Sequence, residues 1–253
     1  MYSNAYIFRF ASIMVILVAA VLTTVALFLK PLQEHNRKVE KITDILLAAG
    51  IPADASNAAA IYEEQLIKEI GISLEGEVKS LFQDGEMLEG DARPFEVDIK
   101  ALLKQIADYR AGKGEAPLLP LFHLNTDNGE VFVIPVLGKG LWGPIWGNVA
   151  LKPDLNTVAG VSFDHKAETP GLGAEINQDF FEKQFIGKKI LDEDGNLYSV
   201  KVVKGGVANS TTVPMQHGVD GISGGTITSN GVTYMLEDCL KNYEPYIKKQ
   251  LAL

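Results

Sequence analysis

The segment Asp220-Gly-Ile-Ser-Gly-Gly-Thr-Ile-Thr-Ser-Asn230 holds the residues best placed to do chemistry in this chain. Ser223, Gly224 and Gly225 let the backbone turn tightly and present its N–H groups, and Thr228 lies just ahead of an expected helix. The free amides and the dipole at a helix start favour an anion, so a phosphate would be electrostatically welcome there. The segment is not a nucleotide-binding P-loop, because no lysine precedes Thr226 or Thr228, and it is not a G-x-G-x-x-G fingerprint. On physical grounds alone, a Ser/Gly/Thr turn that merely caps a helix is the plainer explanation.

The other reactive side chains offer less. His35, His123, His165 and His217 are scattered, and no pair has a spacing that, with Cys239, would ligate zinc or an iron–sulfur cluster. Cys239 falls on the apolar stripe of the last segment, so a packed, inert thiol is expected. As the single cysteine it excludes an internal disulfide. No G-x-S-x-G elbow or other nucleophile–base pattern is present. A chain without an evident acid–base site suits chemistry that belongs to a bound cofactor. The net charge is −9 with no basic stripe, which argues against nucleic acid as a partner.

These residues need elements to position them. Residues 10–29 read FASIMVILVAAVLTTVALFL, with no charge, and about twenty helical residues span the ~30 Å hydrocarbon core of a membrane. Arg9 and Lys30 bracket the run, and Pro31 is expected to end it. The run exceeds a signal-peptide core and no A-x-A-like cleavage site follows, which points to an uncleaved anchor in contact with lipid. Basic residues lie on both sides, with Lys30, Arg37, Lys38 and Lys41 beyond the span. Their count alone would keep the large domain inside, but long domains translocate regardless of flanking charge, so the side stays open.

Beyond the span, Val39, Ile42, Ile45 and Leu46 have helical spacing, stopped by Gly50 and Pro52. A second helix is expected over 57–70, with Ile61, Leu66 and Ile70 as its apolar positions, and loop or edge structure over 75–98. From Leu118 the texture becomes strand-like, with two strands around Asp127-Asn128-Gly129 and more at 148–151, 158–163 and 198–203. A helix is expected over 175–184. The last segment carries Val232, Met235, Leu236, Cys239, Leu240, Tyr243 and Ile247 on one helical stripe, which Pro245 is expected to kink or end. The expected class is α+β: an N-terminal tail (1–9), a transmembrane helix (10–29), a helical neck and annex (30–115) and a cofactor domain (116–253).

Ser-Gly-Gly-Thr-Ile-Thr-Ser resembles the flavinylation motif S-G-A-T-x-[ST], in which the last hydroxyl residue is esterified by the phosphate of flavin mononucleotide (FMN). On that match Thr228 is the acceptor and Thr226 is not, and Gly225 stands where the motif usually has alanine. The anchor, Leu141-Trp-Gly-Pro-Ile-Trp-Gly147, Glu168-Thr-Pro-Gly-Leu-Gly173 and His217-Gly-Val-Asp-Gly-Ile-Ser-Gly-Gly-Thr together resemble the C subunit of the sodium-translocating NADH:quinone reductases. The resemblance is most specific from about Leu141 onward.

The resemblance implies an FMN-binding α+β domain with covalent FMN on Thr228. It implies that Leu141 and Trp142 pack against the flavin ring, and that the turn Glu168, Thr169, Gly171 and Leu172 wraps the ring edge. Ser223, Gly224, Gly225, Thr226 and Ile227 then complete the cofactor site. Plainer roles stand beside these: Trp142 and Trp146 as core aromatics next to a strand, and Glu168 as an exposed acid. The implied activity is electron transfer within a membrane complex that passes electrons from NADH to quinone. The implied partners are the other subunits of that complex and a flavin transferase. The implied place is a bacterial inner membrane, with the flavin domain in the periplasm. The span holds no ionisable residue and the chain no dinucleotide fingerprint, so the sodium path and the NADH site belong to other subunits. Two alternatives remain open, the G subunit of Rnf-type ferredoxin:NAD+ oxidoreductases and a flavin-free anchored interaction domain.

Overall fold

The computed structural model describes residues 3–252, which divide into two compact units between Ile42 and Thr43. The first unit is most of helix α1 (Asn4–Ala48), whose apolar side chains over 10–29 are exposed and whose length and composition suffice to cross a membrane. Pro31 lies inside this helix rather than ending it. A proline removes one hydrogen bond and crowds one carbonyl, and a helix of 45 residues carries that local loss. The end comes at Gly50, whose φ of +77° allows Ile51 N–H to donate back to the Leu46 carbonyl.

The second unit is built on an antiparallel sheet of seven strands in the order β3-β2-β1-β4-β5-β6-β7. The strands are β1 (Leu66–Ile72), β2 (Val78–Gln83), β3 (Glu86–Glu89), β4 (Leu119–Thr126), β5 (Gly129–Lys139), β6 (Pro144–Leu151) and β7 (Val158–His165). Helices α2 (Ala58–Gln65) and α3 (Ile99–Arg110) come before β4. Strand β1 pairs with β2 on one side and β4 on the other, so the sheet runs across the division expected between 115 and 116.

The helix expected over 57–70 stops at Gln65, and the next seven residues are β1. Leu66 and Ile70 do have helical spacing, but Ile67, Ile70 and Ile72 are β-branched, and two neighbouring strands supply their backbone bonds. Ile70 and Ile72 point into the main core, while Glu69 is fully buried on the opposite face. There it accepts from Arg93 Nη2 at 2.5 Å, Phe95 N at 3.1 Å and Tyr62 Oη at 3.2 Å. The stretch 75–98 supplies β2 and the sheet-edge strand β3.

Helix α5 (Thr226–Leu251) covers the other face. Val232, Met235, Leu236, Cys239, Leu240, Tyr243 and Ile247 are all buried, as the stripe predicts. The helix lies close to β5 because Gly138 leaves room for Met235, where a Cβ would come within 2.6 Å of the methionine Cβ. Pro245 does not interrupt the helix, since Tyr243, Tyr246 and Ile247 on either side are packed in the core and hold it to Leu251.

Residues 175–184 do not form one helix. They split into a 3-10 turn (Gly173–Asn177), a single α turn, α4 (Asp179–Glu182), and a second 3-10 turn (Lys183–Phe185). The break lets Ile176, Phe181 and Phe185 all reach the core beside Phe163. The strand expected over 198–203 shortens to β8 (Lys201–Val203), because buried Ser199 takes a φ of +66°. It pairs in parallel with β9 (Gly218–Asp220), the strand that leads into the Gly-rich turn.

Strand β7 is the free edge of the sheet beyond β6, and Glu182 Oε1 accepts from its Phe163 N–H at 2.7 Å. Burial lifts the Glu182 carboxyl to about 7; the Phe163 N–H pulls it down, and the neighbouring Asp179 and Asp164 push it up. The folded chain therefore holds this proton more tightly than the unfolded chain, whose ordinary value is 4.5. The Glu182 contribution to stability is complete below that value and is lost as pH rises through about 7. Urea unfolding should show a midpoint that falls between pH 5 and pH 8, and Glu182→Gln should flatten that dependence.

Candidate functional site

Helix α5 starts where the chain folds back at Ile222-Ser-Gly-Gly225, with Gly225 N–H donating to the Ile222 carbonyl at 3.0 Å. Gly224 has a φ of +75°, and a Cβ there would lie 2.5 Å from Leu172 Cδ2. Ser229 locks the turn from inside: its Oγ accepts from Ile222 N at 3.2 Å, and its own N–H donates to Gly225 O at 2.9 Å. The N-cap is Gly225, which has no side chain to satisfy the first amides of the helix. The helix begins at Thr226, so Thr228 sits within its first turn and not ahead of it.

Thr228 turns inward and is 1% exposed. Its hydroxyl donates to Glu168 Oε2 at 2.5 Å. Glu168 is 5% exposed, which overturns the plain expectation of a solvated acid. Its Oε1 accepts from Trp142 N at 2.8 Å, and the neighbouring Leu141 and Gly143 amides also favour the charged carboxylate. Burial opposes its ionisation, but the Thr228 hydroxyl and the amides of Trp142, Leu141 and Gly143 outweigh that and hold the carboxyl below its ordinary value. One carboxylate thus ties the 140–143 loop, the turn after β7 and the first turn of α5.

Only glycine fits at two of the surrounding positions. A Cβ on Gly140 would lie 2.6 Å from Glu168 Oε1, and a Cβ on Gly173 would collide with Thr228 Oγ1 and lie 2.5 Å from Glu168 Oε2. A cavity of about 240 Å³ opens onto this cluster. Of the residues expected at a cofactor site, Leu141, Glu168, Thr169, Leu172, Gly224, Gly225, Thr226, Ile227 and Thr228 line it. Trp142 does not: its amide serves Glu168 while its ring is 66% exposed, so it is not a core aromatic. Gly171 forms the corner of the turn at φ +76°, its N–H donating to Glu175 Oε1 at 2.8 Å. Ser223 lines an adjoining cavity of about 450 Å³ with Lys204, Asp220 and Asn230, which shares Gly224 and Thr226 with the first.

Sequence reasoning left out Gly140, Gly143, Gly173 and Ser229. The signal for Gly143 and Gly173 was their place inside the two glycine-rich motifs and for Gly140 its place next to the first, while Ser229 looked like any helix-capping hydroxyl. Two other reactive side chains have plain structural roles. The Cys239 thiol is buried, pushed up to about 11 by burial, and donates to Leu137 O. His217 is buried with Nδ1 2.7 Å from Lys189 O, and among the described residues no group of His, Cys, Asp and Glu could hold a metal ion.

The cluster suits a flavin nucleotide. The amides at the start of α5 favour a phosphate, and exposed Leu141, Leu172 and Ile227 line the cavity with apolar surface for a ring. Replacing Gly224 by alanine should destabilise the chain by about 1–2 kcal/mol in urea unfolding, from its left-handed backbone together with the Leu172 contact. Gly225→Ala should cost less, since its φ is −96° and the nearest atom would be 3.1 Å away.

The family of FMN-binding domains matches residues 140–241, the span from the Gly140 loop to the middle of α5. The C subunit of the Na(+)-translocating NADH-quinone reductase of Vibrio alginolyticus is 32% identical over 238 residues, covering 90% of this chain and 88% of the relative. Its counterpart in Pseudomonas aeruginosa is 31% identical over 215 residues, covering 83% and 81%. The crystal structure of the same subunit from Parabacteroides distasonis superposes with a TM-score of 0.70 at 35% identity, covering 87% of this chain and 96% of that one. Shewanella oneidensis NqrC superposes with a TM-score of 0.66 at 27% identity, covering 86% of this chain and 99% of that one. With a relative this similar along nearly its whole length, and with an FMN-binding domain at the site just described, the chain belongs to the NqrC family, the C subunits of the Na(+)-translocating NADH-quinone reductases.

Proposed function

We propose that this chain is an electron-transfer subunit of a membrane Na(+)-translocating NADH:quinone oxidoreductase, carrying FMN through a phosphoester on Thr228. The observation that carries this reading is the Thr228 hydroxyl in the first turn of α5, beside a cavity rimmed by exposed apolar side chains. When bound, FMN supplies the electron-accepting and electron-donating chemistry. The chain's own residues hold it. The amides of Thr226 and Ile227 in the first turn of α5 would hold the phosphate, and the positive end of the helix would offset its remaining negative charge. Leu141, Leu172 and Ile227, which line the cavity, would cover the ring with exposed Trp142 next to Leu141, and Thr169 and Gly171 shape the turn that would lie at its edge. Thr228 does no redox work; its ester prevents loss of the cofactor. Other subunits of the complex are the electron partners, and a flavin transferase makes the attachment.

Helix α1 anchors the chain in a bacterial inner membrane, with the flavin domain on the periplasmic side. External protease added to spheroplasts should digest the domain; full resistance would place it in the cytoplasm. Co-expressed with a flavin transferase, the wild-type chain should give a band that fluoresces under ultraviolet light after denaturing electrophoresis. Mass spectrometry should find the Thr228 peptide heavier by one FMN less water. Thr228→Ala should lose both signals and Thr226→Ala should keep them; the reverse pattern would overturn the assignment.

A further inference from the structure

An alcohol does not esterify a phosphate in water unless something orients its oxygen and accepts its proton. In phosphoryl transfer to a hydroxyl group, a carboxylate in contact with that hydroxyl commonly fills the role. Such a carboxylate is already present in this chain. Thr228 Oγ1 donates to Glu168 Oε2 at 2.5 Å, with both groups buried. The other oxygen is fixed by the Trp142 amide at 2.8 Å, so the carboxylate cannot rotate freely away from the threonine. Gly140 and Gly173 bring backbone against the carboxylate where any side chain would collide. As a mere fold staple, Glu168 would need only its amide bonds. Its bond to the one hydroxyl proposed to be esterified is the feature left over.

We infer that Glu168 is the general base of flavin attachment, supplied by the acceptor chain itself rather than by the transferase. The inference rests on the reading of Thr228 as the attachment point. The co-substrate is a flavin dinucleotide, in which the FMN phosphorus is already joined by an anhydride to an adenylate. Thr228 Oγ forms a bond to that phosphorus as the anhydride P–O bond breaks. The electron pair of the broken bond leaves with AMP, and the Thr228 proton passes to Glu168 Oε2. Nothing is oxidised or reduced.

The test measures covalent FMN incorporation into the detergent-solubilised full chain, with purified flavin transferase and flavin adenine dinucleotide, by in-gel fluorescence and peptide mass against time. Glu168→Gln keeps the size and the amide contacts but cannot take a proton, and should slow attachment by about 10²–10⁴-fold. Glu168→Asp, shorter but still a carboxylate, should retain more of the rate than Gln. A purely structural role predicts the opposite order, because Gln is the closer fit, and that order would overturn the inference. Thermal unfolding of each unmodified variant reports folding. Should Gln prevent folding, the equally short pair Glu168→Asp and Glu168→Asn makes the same comparison, and equal rates would overturn the inference. The wild-type rate should fall as the solution is acidified through the Glu168 carboxyl, and that limb should vanish in the amide variants. Thr228→Ala separates the two claims. If it is still labelled, the attachment point is wrong; if it is unlabelled while Glu168→Gln reacts at the wild-type rate, only the base is wrong.

Discussion

A buried carboxylate held by the Trp142 amide and the Thr228 hydroxyl joins every part of this site. Glu168 lies far from Trp142 and Thr228 in sequence, and the loop, turn and helix that carry them meet only because the fold closes around it. An ionised group at this depth is tolerable when each of its oxygens has donors, and here the donors come from separate elements. The carboxylate therefore fixes the position of the hydroxyl as firmly as the helix does. Any group that enters the cavity meets a surface already set.

The larger scaffold follows from that need. Strands β5 to β7 carry the 140–143 loop and the 168–173 turn at one end of the sheet, and α5 crosses the same face with its start between them. Close packing of α5 on β5 depends on Gly138 and on Gly231, which meets the Lys139 carbonyl. A bulkier residue at either place would lift the helix start away from Glu168. The core below, from Ile134 to Met235, is apolar and continuous, so the polar cluster sits at its rim and not within it. That placement leaves room for apolar side chains to border the cavity while remaining exposed.

Much of this was legible in residue types. The SGGTITS turn, the last helix, the hairpin around Asp127-Asn128 and the apolar N-terminal run are all local signals, and each is present, although the last helix already begins at Thr226. The errors have one cause. Residues 66–72 carry a helical spacing that pairing with β2 and β4 overrides; Pro31 and Pro245 look like stops but lie within long helices; and 173–185 breaks up so that three apolar side chains reach one core. In each case packing or pairing with distant residues outweighs a local preference of about a kilocalorie per mole or, for proline, a few.

The sequence by itself determined the span, the α+β class and the hydroxyl that stands at a helix start, because these depend on neighbours a few residues apart. The family resemblance was equally a matter of contiguous motifs. Only the tertiary structure decided that Glu168 is buried, that it bonds to Thr228, and that Gly140 and Gly173 must lack side chains. Those facts arise from backbone and side-chain atoms brought within ångströms of one another across sixty residues of chain, and no periodicity along a strand or helix encodes such a distance.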